Sequence, residues 1–293
     1  MKTRNLLLIA LLTTSMFLTA CQQKPSNVPA DPVAAVKIIA DKQKEVTTQH
    51  VDLTLTLSIQ ADGIKTDPSN PSVASAAAFL KNFKANVTVG GDVDTAKSNF
   101  SLSGSADIGA LTALLAQGAD KLTFDLIKVD DTMYSRTGTD KWTSSPVAKT
   151  TSTTASVTAT QATAQIAEVI KNAAKAEKLG DENIGGTNTY HYKVTLDALA
   201  LIDQALAVAA ADPKATPPDP KQVQQAKDLL KDSVLELDMW VGQEDLYYRQ
   251  VTLHIKLDLK NIPENPGATA LVDLLLKATF SNVNKPVNIV PPQ

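Results

Sequence analysis

Between His50 and Gln60 the chain changes character at every residue: Val51, Leu53, Leu55, Leu57 and Ile59 alternate with Asp52, Thr54, Thr56, Ser58 and Gln60. Side chains of an extended strand point alternately to opposite faces, so this run demands a strand with one apolar and one wet face. The same period returns at Tyr190, Tyr192, Val194 and Leu196, which alternate with His191, Lys193 and Thr195. It returns again at Leu235 to Val241, at Val251 to Leu259, and at Leu274 to Phe280. Weaker strand patterns run from Phe83 to Val89, with Gly90-Gly91-Asp92 read as a turn, and from Asn99 to Ser103. Leu122 to Val129 and Thr132 to Arg136 follow, and Thr137-Gly138-Thr139-Asp140 before Lys141-Trp142 predicts a hairpin. Gly185-Gly186 predicts another turn. About nine to eleven strands, mostly adjacent in sequence, imply one antiparallel sheet, and a sheet this wide curls into an incomplete barrel. The fold class is α+β, a curved half-barrel whose concave apolar face is covered by helices.

The helices are predicted between the strands. Asp31 suits an N-cap and Pro32 a first turn, with Val33, Val36, Ile39 and Ala40 at helical spacing. Residues 62 to 78 read as a loop and a short helix. Ala106 to Gly118 reads as an apolar helix, and residues 143 to 160, nearly all Ser, Thr, Ala and Val, as a surface loop. Gln161 to Lys178 reads as a helix presenting Ile166, Val169, Ile170 and Ala173. Leu196 to Ala211 is apolar around most of its circumference, through Leu199, Leu201, Ile202, Leu206 and Val208. Such a helix either lies in a core or borders a cavity. A cluster of prolines ends it, and Lys221 to Asp232 forms another helix before the extended tail Val287 to Pro292.

The N-terminus sets the address. Lys2 and Arg4 precede an apolar run from Leu6 to Phe17, too short to span a bilayer and shaped like a secretory leader. It ends in Leu18-Thr19-Ala20-Cys21, followed by the polar Gln22, Gln23 and Lys24. This looks like a bacterial lipobox, in which the Cys21 thiol is acylated and becomes the first mature residue. The expected organisation is a leader at 1–20, a tether at 21–31 and one domain at 32–293. The expected place is outside the cell membrane, held by acyl chains, or on an outer membrane where one exists. Cys21 is the single cysteine, so no intrachain disulfide forms and stability must come from burial and backbone pairing. The formal charge of −3 becomes more negative once Lys2 and Arg4 leave with the leader, which argues against nucleic acid as a partner. Aromatic residues make up only 4%, so the apolar surface suits aliphatic chains better than stacked bases.

Signs of covalent chemistry are missing from the pattern. The histidines are His50, read as preceding a strand, and His191 and His254, on polar phases of theirs. No His-x-x-x-His or Cys-x-x-Cys spacing supports a metal site, no Gly-x-Ser-x-Gly elbow occurs, and no cofactor motif is complete. Asp130-Asp131, Asp181-Glu182 and Glu244-Asp245 are read as solvated turn carboxylates. The expectation is a protein that is not an enzyme.

Several motifs in order carry a resemblance. They are Cys21, the strand His50 to Leu55, the hairpin Asp131 to Trp142, the turn and strand Asn183 to Tyr190, the pair Met239-Trp240-Val241 and Gln250-Val251, and the closing Lys285 to Ile289. Together they resemble the LppX and LprG family of exported lipoproteins, distantly similar to the carriers LolA and LolB, with extra apolar helical material near 71–82 and 106–118. The resemblance implies an apolar cavity that holds acyl chains of lipids or glycolipids during transfer across the envelope. A chain of about 15 methylenes costs on the order of 12 kcal/mol to bring into water, which such a cavity offsets. The lining expected from the apolar phases is Leu53, Leu55, Leu57, Val194, Leu253, Ile255 and Leu257, with Leu199, Ile202 and Leu206 from the covering helix. The competing reading is an envelope interaction or sensor module on the same fold, with a packed interior and no lipid. The sequence names no protein partner.

Overall fold

In the computed structural model, Thr48–Asp62 forms the central strand β1, and the alternation sets its exposure. Asp52, Thr54 and Thr56 face water while Leu53, Leu55 and Leu57 are half-buried. The structure describes residues 28–64, 77–109, 112, 121–147, 170, 175–200, 202, 203, 206, 219–231, 233–260 and 267–293. After β1 come β2 (Phe83–Asp94), β3 (Asn99–Asp107), β4 (Leu122–Val129), β5 (Thr132–Thr137) and β6 (Thr143–Pro146). The second half supplies β7 (Lys175–Ile184), β8 (Thr187–Leu196), β9 (Val234–Gly242), β10 (Tyr248–Lys260) and β11 (Thr269–Ser281). They form one sheet in the order β6-β5-β4-β3-β2-β1-β11-β10-β9-β8-β7, antiparallel at every pairing. Each half is a meander of neighbours. The one long-range pairing, β1 on β11, joins them in register from His50 opposite Ser281 to Asp62 opposite Thr269.

The sheet does not close, and β6 and β7 are its edges. Both edges carry features that discourage further pairing. β6 is four residues long, exposed throughout and ends in Pro146, which lacks an N–H. β7 carries Lys175, Glu177 and Lys178 and is broken by a bulge between Lys178 and Gly180.

Helix α1 (Pro32–Lys42) starts where the sequence places it: the Asp31 carboxylate accepts from the Val33 N–H at 3.1 Å, and Pro32 occupies the first turn. It lies against β7 and buries Ala35, Val36, Ile39 and Ala40 completely. A 3-10 turn, Gln43–Glu45, follows. There the buried Gln43 amide donates to the Ile39 and Leu246 carbonyls, both at 2.8 Å, while its oxygen accepts from the Tyr248 N–H at 3.1 Å. That clamp joins the end of α1 to the start of β10. Helix α2 (Pro220–Leu230) is capped by Asp219 in the same manner and lies against β10. It buries none of its residues fully. All these elements belong to one compact unit, Asp31–Gln293.

Several local expectations are corrected. Gly90, Gly91 and Asp92 are not a turn but the interior of β2; a Cβ on Gly91 would stand 2.0 Å from the Ser101 carbonyl oxygen, so glycine there lets β3 approach. The turn is Thr95–Ser98 instead, with Ser98 at φ 57°. Ala106 and Asp107 end β3 rather than opening a helix, residues 143–146 are a strand rather than loop, and Lys175–Lys178 belongs to β7 rather than to a helix. Lys, Ala and Glu favour a helix locally, and pairing with β8 overrides that preference. His50 lies inside β1. The turns at Asp130-Asp131 and Gly185-Gly186 and the hairpin at Thr137–Trp142 form as read. The leader and Cys21, the loop at 65–76, most of the helix at 108–118, the loop at 148–160, the helix at 161–174 apart from the buried Ile170, and most of the helix beyond Ala200 lie outside the described residues.

Candidate functional site: the apolar face of the sheet

Cross-strand partners share a face, so the register sorts the apolar side chains into rows. One row runs Val89, Leu53, Ala278, Val251, Met239, Tyr192. The next runs Val87, Leu55, Leu276, Leu253, Leu237, Val194. A third runs Ala85, Leu57, Leu274, Ile255, Leu235, Leu196, and a fourth joins Phe83, Ile59, Val272 and Leu257. Seven residues expected on this face from sequence, Leu53, Leu55, Leu57, Val194, Leu253, Ile255 and Leu257, are therefore brought to it.

Burial divides the face in two. Toward β8 and β9 it is sealed: Val194, Met239 and Val241 are 0% exposed, Val251 is 1%, and Tyr192 and Leu237 are close to that. Burial pushes the Tyr192 phenol up to about 12. Val194 is thus part of a packed core. Across β1, β2, β11 and the second half of β10 the larger aliphatic side chains of the same rows are half-buried, Leu53, Leu55, Leu57, Leu274, Leu276, Leu253, Ile255 and Leu257 among them, while Ala85 and Ala278 are buried. A contiguous aliphatic surface that is only partly buried is the feature among the described residues that asks for a ligand. Leu199, Ile202 and Leu206 lie on a helical piece opened by Asp197, whose carboxylate accepts from the Leu199 N–H at 2.8 Å, and all three are half-buried. Asp203 of this piece pairs with Lys227 of α2 at 2.5 Å.

Sequence reasoning passed over half or more of each row. Val87, Val89, Leu274 and Leu276 stand beside the residues it chose, and the signal was the alternation it had already read in their strands. Tyr248 was missed for another reason. A bulge between Tyr248 and Gln250 shifts the phase of β10 and turns Tyr248 to the apolar face opposite Val241, where counting back from Val251 would put it on the wet one.

The opposite face carries the titratable groups, and each histidine meets carboxylates across strands. His50 Nδ1 lies 2.7 Å from Asp92 and Nε2 3.5 Å from Asp52. The hydrogen bond to Asp92, aided by the charges of Asp52 and Asp92, raises the His50 pKa despite partial burial. His254 Nε2 is 3.0 Å from Asp273. His191 lies between Glu182 (2.7 Å) and Asp238 (2.9 Å) and stacks on Trp240, with ring centroids 4.1 Å apart. Trp240 Nε1 donates to Glu182 at 2.8 Å, and that bond, before the one from His191, lowers the Glu182 pKa. Glu182 is therefore not a solvated turn carboxylate: the β7 bulge turns it onto this face beside His191. Asp245 likewise is bound, by Arg249. Among the described residues no cluster of three or more His, Cys, Asp and Glu is arranged to hold a metal ion, and no helix is long and apolar enough to cross a membrane.

No protein-family model and no curated protein sequence matches the chain. Three solved structures are similar to it along most of its length. The lipoprotein LppX of Mycobacterium tuberculosis is 15% identical, over 87% of this chain and 96% of its own, with a TM-score of 0.36. LprF of Mycobacterium bovis is 15% identical over 90% and 99%, with a TM-score of 0.40. A DUF1329 family protein of Desulfovibrio piger is 13% identical over 89% and 96%, with a TM-score of 0.26.

Proposed function

We propose that this chain is a membrane-tethered lipid-binding lipoprotein that takes acyl chains of lipids or glycolipids onto the half-exposed rows of its sheet and carries them within the cell envelope. The observation that supports it is the unequal burial of one continuous aliphatic face, sealed at Val194, Met239 and Val241 and half-exposed at Leu53, Leu55 and Leu57. Each methylene laid on such a surface is worth up to about 0.8 kcal/mol, so a long chain gains enough there to leave a bilayer. The surface is aliphatic and carries no fixed charge, which suits hydrocarbon and offers nothing to a polar substrate. Cys21 would supply the anchor and residues 22–31 a short polar tether that keeps the domain near its source of lipid.

Leu57 stands in the half-exposed region with an exposed wet-face neighbour, Thr56, so Leu57→Asp tests the site without opening the sealed core. Titration of the anchor-free domain, residues 22–293, with a fluorescent fatty acid is expected to show saturable binding that Leu57→Asp lowers at least tenfold while circular dichroism stays unchanged. Equal binding by the variant would place the lipid elsewhere. For the anchor, Cys21→Ser is expected to move the protein from the membrane to the soluble fraction, and continued membrane attachment would contradict the lipobox.

A further inference from the structure

Tyr248 brings a hydroxyl into the apolar interior and gives it nothing to bond. The residue is 4% exposed, and its Oη is, with Ser233 Oγ, one of two buried side-chain polar atoms without a hydrogen-bond partner among the described residues. Its backbone is fixed, since the N–H donates to Gln43 in the clamp that joins α1 to β10. Its ring lies opposite Val241, in the sealed part of the face, and 6.2 Å between centroids from Phe280, which is half-buried opposite Val51. The phenol ring therefore lies in the sealed part of the face, beside the half-buried Phe280. Burial raises its pKa, so it stays a neutral O–H donor. A phenylalanine would fill this place without leaving a buried donor unmade.

We propose that Tyr248 Oη is a specificity group of the lipid site, donating a hydrogen bond to the ester carbonyl of a bound acyl lipid. The inference rests on the lipid-binding reading above. The rows from Ile59 to Val51 run eight residues along β1, about 26 Å at roughly 3.3 Å per residue, so a long acyl chain laid along them brings its ester end to Val51 and Phe280, beside the Tyr248 ring. A free carboxylate fits this place less well, because one neutral hydroxyl does not offset the burial of a charge. The site would thus select acyl esters over both fatty-acid anions and plain hydrocarbon.

The test uses the anchor-free domain, residues 22–293, wild type and Tyr248→Phe, titrated with methyl palmitate and with hexadecane by displacement of a fluorescent acyl probe. Tyr248→Phe is expected to weaken methyl palmitate about twofold to tenfold, the worth of one neutral hydrogen bond, and to leave hexadecane unchanged. Equal weakening of both probes, or of neither, overturns the inference while the lipid-binding reading stands. If wild type binds neither probe, that reading itself fails. Thermal unfolding of the unliganded proteins adds a second arm: with the hydroxyl unpartnered, Tyr248→Phe is expected to be at least as stable as wild type. A fall of several degrees would show that the hydroxyl is already satisfied, and would overturn the proposal.

Discussion

His50 is held between two carboxylates, and the bond to Asp92 raises its pKa above the ordinary 6.5. A raised histidine pKa means the folded state holds the proton more tightly than the unfolded chain, so the stabilisation is fully present below about 6.5 and fades as pH rises through the folded value. The stability difference between wild type and His50→Asn is therefore expected to be largest at mildly acid pH and to shrink as pH rises above about 6.5; urea titrations across that range check it, and a pH-independent difference would contradict the ion pairs seen on the wet face. At this scale the sequence is readable wherever a residue obeys the phase of its strand. Leu53, Leu55, Leu57, Leu253, Ile255 and Leu257 do, and they share a face as expected. Tyr248 and Glu182 do not, because one bulge in β10 and one in β7 each reverse the phase. A bulge costs one residue of register and leaves no fixed composition behind, which is why the unpartnered phenol and the Glu182–His191–Trp240 cluster could not be found by counting.

Strands with one wet face were the most legible elements, since burial of one face fixes both their type and their phase. Elements whose local propensity points one way and whose pairing points another were not: Lys175–Lys178 has helix-favouring residues and becomes an edge strand by pairing with β8. Glycines were ambiguous for a similar reason, because close approach and turning both call for a missing Cβ. Gly104 of β3 illustrates approach: a Cβ there would lie 2.5 Å from Phe124 Cζ and 2.6 Å from the Thr88 carbonyl oxygen. Gly104→Ala is accordingly expected to destabilise the protein by about 1–3 kcal/mol through overpacking between β2 and β4, measured by chemical denaturation. No loss of stability would mean that the three strands have room to spread.

At the scale of the whole molecule, two meanders are fastened edge to edge by β1 and β11, the one pairing that sequence proximity could not announce. Because both partners carry long aliphatic phases, their union places the widest aliphatic part of the sheet at its middle, away from α1, which lies against β7, and away from the buried residues of β8 and β9. The sequence foretold a curved sheet with a concave apolar side; it did not foretell that this side would be sealed in one part and only half-buried in another, because an alternating strand looks the same in both. A surface of that kind is either filled by cargo or empty when the protein is isolated. The most direct measurement is to express the domain from Gln22 onward without its anchor, purify it, extract it with organic solvent and identify the extract by mass spectrometry. Acyl-ester lipid in near-stoichiometric amount, lost in Leu57→Asp, is the predicted result, and a clean extract from a protein that also fails to take up added lipid would contradict the account.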